Sequence, residues 1–389
     1  MKKSVKVETL YSIGEWLPEL LCLVTDLLIP LFMGYGDSVG GISVAGIVMG
    51  ALSRLTRSVN SVIKIQAIKV EGRKRSVVLG NLWWTLLCAV FISIVMFLSR
   101  DLIEEATALP GIAEYMVWGP WYWLLFRLSV TGAMPIGISQ VGMAKRVALS
   151  WISCALNVVL TYSFVKEYGV RGSSLATLIS TIPGTVLFLV WAIRGGYIGK
   201  PTLHGIAEIW PMAKERLKGE GPSLLNSFTA LQLNSWMGPG MAATWSLMHL
   251  ACDVAGGLGM VIWSISGKHL TFFVYGEGKD EEKGWAAWNW GDRIAISAQV
   301  GGAIVAYFLV PYAVLIIIAY ALNKRFKYLI EAKGTRASEM RIKEAKYAWS
   351  TSCIVGYWLC MSLIAPTIIV PTIVYCVAAT GSICMMTRK

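Results

Sequence analysis

A single carboxylate stands near the middle of the first long apolar run, "LPELLCLVTDLLIPLFMGYG", residues 17–36. A helix needs roughly 20 apolar residues to cross a hydrocarbon core of about 30 Å, so this run can span a bilayer. Because a charge at that depth costs about 3 kcal/mol by insertion scales, we expect Asp26 to face the protein interior. A buried carboxyl that exchanges a proton has the chemistry of a coupling site in a carrier. A structural ion pair with Arg127, in "WYWLLFRLSV", is the alternative.

Further polar side chains in apolar runs are candidates for a substrate pocket. Asn157 and Thr161 are four residues apart, and so are His249 and Asp253, a spacing that places both members of a pair on one face of a helix. Such residues also serve as hydrogen-bonding partners between membrane helices, so structural and functional roles both stay open. We predict Asn157 and Arg127 to accompany Asp26 at the coupling site. The pocket candidates are Gln140, Thr161, Asn226, Gln232, Asn234, His249 and Asp253.

Motifs for catalysis, metal binding or nucleotide binding do not stand out in the sequence. The three histidines, His204, His249 and His269, are far apart, and none of the eight cysteines forms a C-x-x-C pair. There is no G-x-S-x-G elbow, P-loop or Rossmann fingerprint. We therefore expect no metal, no cofactor and no enzymatic activity, and we interpret the cysteines as small apolar side chains.

The elements that position these residues follow from composition. With 56% hydrophobic and only 15% charged residues and a mean hydropathy of +0.59, the chain is more apolar than a soluble domain. The sequence predicts an all-α integral membrane protein of the cell membrane. The net charge of +12 is then assigned to loops at the membrane surface, and a nucleic-acid partner is not expected.

Hydropathy predicts about ten transmembrane helices in two lobes. The predicted spans are 17–34, 39–65, 76–99, 112–142, 147–165, 172–193, 222–238, 241–273, 292–321 and 350–385, the last with a possible hairpin at Pro366 or Pro371. An amphipathic stretch rich in Gly and Pro, 195–218, separates an N-terminal lobe, 1–194, from a C-terminal lobe, 219–389. On this count the C-terminal lobe has about four spans and is incomplete.

The two lobes carry an internal repeat. Residues 221–240, "GPSLLNSFTALQLNSWMGPG", align without a gap on residues 17–36, each pair being 204 positions apart. Eight of the nineteen positions from Pro18 to Gly36 are identical, among them the Met-Gly-x-Gly turn, whereas Asp26 aligns with Ala230. Because six spans, an even number, separate the copies, the repeat is predicted to be parallel, an arrangement that recurs in secondary transporters.

Charge in the loops predicts the orientation. Lys and Arg are dense at the amino terminus, in 69–75 and from Arg194 to Lys218, which places the amino terminus in the cytoplasm by the positive-inside rule. The basic segment 323–346 disagrees, because nine predicted spans precede it and place it outside.

Several motifs in this order resemble the MATE multidrug exporters and their flippase relatives in the MOP superfamily. They are the early Pro and Gly-x-Gly turn of the first span, the basic turn after the second span with Gln66, Ala67 and Gly72, the Asn of "CALNVVLTY", and "GVRGSSLAT" opening the sixth span. The sequence departs from the family at Thr161, where relatives often have a carboxylate, and at Ile29, on which the usual acid of the first span would fall. Against twelve-span relatives, the predicted count implies a second lobe truncated by two spans.

The resemblance and the residues together predict a secondary active transporter or flippase. It would exchange protons, through Asp26, for an organic cationic, amphipathic or lipid-linked solute by alternating access. The alternative is a non-transporting, degenerate MATE-like scaffold in an envelope or membrane assembly. The expected partners are this small substrate and membrane lipids, with a homodimer or partner-protein contact through 350–385 completing the second lobe.

Overall fold

The computed structural model describes residues 2–69, 77, 80–133, 140–194, 199–275 and 280–388. Within these ranges the chain forms twelve long α-helices and one short one. They are α1 (Lys2–Phe32), α2 (Gly36–Lys69), α3 (Leu82–Thr107), α4 (Ile112–Tyr115), α5 (Gly119–Ala133), α6 (Gln140–Tyr168), α7 (Val170–Arg194), α8 (Leu203–Met237), α9 (Pro239–Tyr275), α10 (Glu281–Leu309), α11 (Ala313–Glu331), α12 (Arg336–Leu363) and α13 (Ile369–Thr387). The prediction of an all-α membrane protein is confirmed.

Four helical segments in the described ranges are long and apolar enough to cross a membrane by length and composition. They are Trp83–Thr107, Val147–Tyr168, Pro239–Thr271 and Ile369–Thr387. Other long helices combine apolar surface with buried polar groups, such as Asp26 in α1 and Asp292 in α10.

Two predicted spans each divide into two helices. The predicted span 292–321 contains the junction of α10 and α11, where Val310 adopts an extended backbone at the end of α10. The segment 350–385 contains the junction of α12 and α13, where Ile364 is extended, so the hairpin alternative was the right one. The number of long helices therefore rises from ten to twelve. The expectation of two missing spans rested on the lower count and is not retained.

Local sequence explains where several helices begin. Thr202 caps α8 by accepting a hydrogen bond from the Gly205 amide at 3.3 Å. At the start of α12, Thr335 and Ser338 form a capping box, in which each hydroxyl accepts from the other residue's backbone amide. Residues 203–218 of the predicted linker 195–218 form the first part of α8, continuous with the following apolar helix. The predicted lobe boundary stays a prediction.

Glycine provides the two turns of the internal repeat. Gly34 follows α1 with φ of +92°, and Gly238 follows α8 with φ of +76°. L-residues with side chains rarely adopt this left-handed region, whereas Gly enters it without steric cost. The two glycines are 204 positions apart, as the alignment of the repeat requires.

Packing divides the chain into two compact units, residues 21–243 and residues 244–389 together with 1–20. In the first unit, α7 packs against α5 and α6, and α2 packs against α8. In the second unit, α13 packs against α11 and α12, and α10 packs against α11. Its core includes the buried side chains of Ile262, Trp263, Leu270, Trp288 and Ala295.

Candidate functional site

Asp26 lies on α1 in a polar cluster within the unit 21–243, and only 7% of its surface is exposed. The Thr177 hydroxyl is 2.9 Å from one carboxyl oxygen and 3.1 Å from the other, and the Ser173 hydroxyl is 3.3 Å from the first. Ser173 and Thr177 are one turn apart on α7 and so present both hydroxyls on one face.

The cluster continues on α6. The Asn157 side-chain amide donates to the Thr177 hydroxyl at 3.0 Å, and Asn157 is fully buried. Thr161, one turn further along α6, is also fully buried. Within the described part of the chain, the Asn157 carbonyl oxygen and the Thr161 hydroxyl have no hydrogen-bond partner. Both oxygens are buried polar groups that the described residues leave unsatisfied, on the helix that reaches the Asp26 cluster through Asn157.

The hydrogen bonds to the Asp26 carboxyl within the described part of the chain come from neutral hydroxyl groups. A hydroxyl can donate to a carboxylate or accept from a carboxylic acid after a simple rotation. Thr177 Oγ1 also lies 3.0 Å from the Ser173 carbonyl oxygen, so it has an alternative acceptor when Asp26 is protonated. The network can therefore hold either protonation state of Asp26 without a backbone movement.

The side chains of one coupling-site candidate, Arg127, and one pocket candidate, Gln140, cannot be placed. The backbone of Arg127 belongs to α5 and that of Gln140 begins α6, but their side chains lie outside the described ones. The ion pair between Asp26 and Arg127 and the pocket role of Gln140 stay predictions.

The three candidates on α8 have different surroundings. Asn234 is buried and donates to the Ala230 carbonyl oxygen at 2.7 Å, whereas Gln232 is exposed. Asn226 is half-buried, and its carbonyl oxygen has no hydrogen-bond partner among the described residues. None of the described hydrogen bonds joins these three side chains into one network.

His249 and Asp253 belong to the other compact unit. The His249 ring packs edge-on against Trp245, with centroids 4.8 Å apart, and against Tyr375 at 6.2 Å. Tyr375 in turn contacts the Trp349 ring at 5.0 Å. Asp253 is exposed, and no hydrogen bond or ion pair joins it to His249 among the described contacts. His249 is thus part of an aromatic cluster and is not paired with the carboxylate.

The structure adds an ion pair that the sequence analysis did not identify. The Arg325 guanidinium binds Asp292 through two hydrogen bonds, 2.7 Å from Nε to Oδ1 and 2.8 Å from Nη2 to Oδ2. The Trp263 indole donates to the same carboxylate at 2.7 Å. This cluster joins α9, α10 and α11. The sequence signal was an acid at the first residue of the predicted span 292–321 and an arginine just beyond its end, in the segment 323–346 that was predicted to be a loop.

Hydroxyls on the predicted contact surface 350–385 hydrogen-bond within their own helices, among them Ser362, Thr372 and Thr380. Ser362 donates to the Trp358 carbonyl oxygen at 2.8 Å, and Thr372 to that of Ile368 at 2.8 Å. These hydroxyls therefore need no partner chain. A dimer contact through this segment stays a prediction.

Comparison with known proteins finds a shared fold at low sequence identity. No protein-family model matches the chain, and no curated protein matches it. Among solved structures, an outward-facing MATE family transporter of the MOP superfamily has a TM-score of 0.65 at 14% identity, covering 98% of this chain and 93% of that chain. A MATE protein in a bent conformation has a TM-score of 0.63 at 16% identity, covering 99% and 93%.

A third similar structure is a MOP superfamily transporter from Pyrococcus furiosus, for which a reversed polarity of the binding pocket has suggested a different function. Its TM-score is 0.61 at 14% identity, covering 99% of this chain and 94% of that chain. The chain therefore has the fold of an all-helical membrane transporter. The particular fold is that of the MATE transporters of the MOP superfamily, which confirms the resemblance drawn from the sequence at the level of fold.

Proposed function

We propose that this protein is a secondary active transporter that couples proton movement through Asp26 to the export or flipping of an organic cationic, amphipathic or lipid-linked solute. The observation that carries the proposal is the buried Asp26 cluster, with its neutral donors from α7 and unpaired oxygens on α6. The fold supports it, because MATE transporters are built on the same arrangement of helices. The proposal assigns the chain no catalytic activity.

The proton would act by changing which way the hydroxyl groups point. When Asp26 is ionised, Thr177 and Ser173 donate to it, and the negative charge is available to a cationic solute or to an incoming proton. When Asp26 is protonated, it donates to Thr177, which then donates to the Ser173 carbonyl oxygen. The charge that attracts a cation is then absent, and the cation is released. Alternating access would let the two states face opposite sides of the membrane.

The revised helix count supports a cytoplasmic amino terminus. Ten long helices now precede the basic segment 323–346, an even number, so a chain in which every long helix crosses the membrane places that segment on the side of the amino terminus. The acidic segment 100–111 follows three long helices and falls on the opposite side. Both placements agree with the positive-inside rule, and the disagreement at 323–346 disappears.

The non-transporting scaffold loses its main support. That alternative drew on the apparent absence of two spans, and the second half of the chain contains six long helices from Leu203 to Thr387. No described contact favours it over transport.

The test is transport by purified protein in liposomes with an imposed pH gradient, using ethidium as the probe cation. Asp26→Asn keeps the size of the side chain and removes both the titratable proton and the negative charge, so we expect gradient-driven movement to stop and ethidium binding to become weak and independent of pH, as in the protonated wild type. Asp37→Asn is the matched control, because Asp37 is an exposed acid in the first turn of α2. Gradient-driven transport by Asp26→Asn at the wild-type rate would refute the coupling role.

A further inference from the structure

A lateral groove runs along the α10–α11 hairpin in the unit 244–389. Its volume is about 620 Å³, within the range of roughly 300–1,000 Å³ of small-molecule pockets. The floor is formed by buried side chains, including Trp263 and Ile317. The rims are exposed apolar side chains at helical spacing, such as Val300 and Ile304 on α10 and Ile318 on α11.

The length of the groove corresponds to one leaflet of a membrane. On α10 it extends from Ile296 to Phe308, about 18 Å at 1.5 Å per residue, and on α11 from Val314 to Arg325, about 17 Å. Half of a hydrocarbon core of about 30 Å is about 15 Å. A single extended hydrocarbon chain lying in the groove would therefore run through the depth of one leaflet.

One end of the groove is basic. Arg325 ends the α11 rim. On α10, Arg293 is exposed and lies three residues before Ile296 and seven before Val300. This spacing places Arg293 on the same helix face as the α10 rim. Arg325 is neutralised by Asp292, so this end carries one net positive charge from Arg293. Lys324, whose ammonium lies 4.9 Å from the centre of the Tyr320 ring, adds a second positive charge one residue away. The opposite end, at Tyr307 and Phe308, is aromatic.

We propose that this groove is a binding site for an anionic phospholipid. One acyl chain would lie between the α10 and α11 rims, and the phosphate would lie at Arg293 and Arg325. An apolar trough of leaflet length closed at one end by cations matches the distribution of charge and hydrocarbon in such a lipid. The basic end continues into the segment 323–346, which is where anionic lipid headgroups meet Lys and Arg at a membrane surface. The inference requires a membrane-embedded chain and is independent of transport.

The acyl-chain part is tested by native mass spectrometry of the full-length protein, released from micelles containing equal amounts of phosphatidylglycerol and phosphatidylcholine. Ala303 lines the groove, so Ala303→Trp should fill it and remove most of the retained lipid. Val305 is exposed on the opposite face of α10 and does not line the groove, so Val305→Trp should retain lipid as the wild type does. Equal retention by both variants would overturn the proposed location.

The headgroup part is tested by the ratio of retained phosphatidylglycerol to phosphatidylcholine. Arg293→Gln should lower this ratio roughly five-fold, the factor that corresponds to about 1 kcal/mol per cation near an anionic surface. Lys343→Gln removes an exposed cation of α12 outside the groove and should leave the ratio unchanged. Wild-type protein that retains both lipids equally would overturn the anionic specificity, even if Ala303→Trp did not fold. If the wild-type protein retained lipid as expected but did not transport ethidium, the proposed function would be refuted and this inference would stand.

Discussion

Removing one partner of the Asp292–Arg325 ion pair should destabilise the protein by more than the intact pair stabilises it. Arg325→Met keeps the length of the side chain and removes its charge, so that among the described residues the Trp263 indole is the one donor left to Asp292. The Asp292 side chain is 12% exposed, whereas that of Arg325 is 32% exposed. We therefore expect an effect between those of exposed and fully buried pairs.

Removing one partner of a fully buried pair costs about 3–5 kcal/mol, and an exposed pair contributes about 0–1 kcal/mol. For Arg325→Met we expect a loss of about 2–3 kcal/mol in the free energy of unfolding, since two of three hydrogen bonds to a nearly buried carboxylate disappear. The double variant Asp292→Leu with Arg325→Met removes the unpaired charge as well. It should be more stable than the single variant.

The assay is unfolding of the purified protein in mixed micelles by increasing amounts of a denaturing detergent, followed by circular dichroism. The wild type, both single variants and the double variant form a double-mutant cycle, which isolates the interaction between the two side chains. The reasoning fails if Arg325→Met unfolds within about 0.5 kcal/mol of the wild type, a loss expected of an exposed pair. It also fails if the double variant is the least stable of the four.

Three further substitutions test close packing and a helix cap. A Cβ on Gly41 would collide with the backbone oxygen of Pro110, so Gly41→Ala should cost about 1–3 kcal/mol in the same detergent titration. Gly46→Ala, on the same helix with no atom within 4 Å of its Cβ, should instead stabilise α2 by about 0.5–1 kcal/mol. The Lys283 ammonium and backbone amide hydrogen-bond to Asp280 and hold the pKa of this carboxyl below its ordinary value. A lowered pKa means that the cap is complete at neutral pH and is lost as the pH falls through this pKa, below the ordinary value of 3.8. Protection of the Lys283 amide from exchange should fall there, and Asp280→Asn should remove this dependence on pH.

The sequence predicted the helices better than the turns between them. The apolar runs predicted the membrane helices, and Gly34 and Gly238 marked two of the turns because only glycine enters the left-handed region without cost. The α10–α11 turn was missed because Val310 and Tyr312 are as apolar as the helices beside them. Pro311 was the sole local signal there, and a proline also occurs within α7 at Pro183, so it did not decide between a kink and a turn.

The functional site was predicted from its acid but not from the groups that bind it. Asp26 was identified because a carboxylate in hydrocarbon requires an explanation. Its partners Ser173 and Thr177 are 147 and 151 residues away along the chain, in a stretch of small residues that was quoted only for its resemblance to a family. Small hydroxyl residues are common at helix contacts, so their types do not distinguish a ligand from packing. The Asp292–Arg325 pair was missed because α10 and α11 were predicted as one span. A single span places the two residues at its opposite ends, whereas the hairpin brings them together.

Only one of the two aligned segments carries a carboxylate, and this difference bears on how such a chain can diverge after duplication. A duplicated scaffold offers every position twice, but a membrane carboxyl costs a few kcal/mol wherever it is inserted. Selection for a single proton site would then preserve the acid in one copy and let the other drift to a residue that folds without it. Asp26 aligns with Ala230, whereas the turn glycines persist in both copies, each with a positive φ. The backbone turn therefore constrains both copies of the ancestral segment, whereas the requirement for a carboxylate constrains only one.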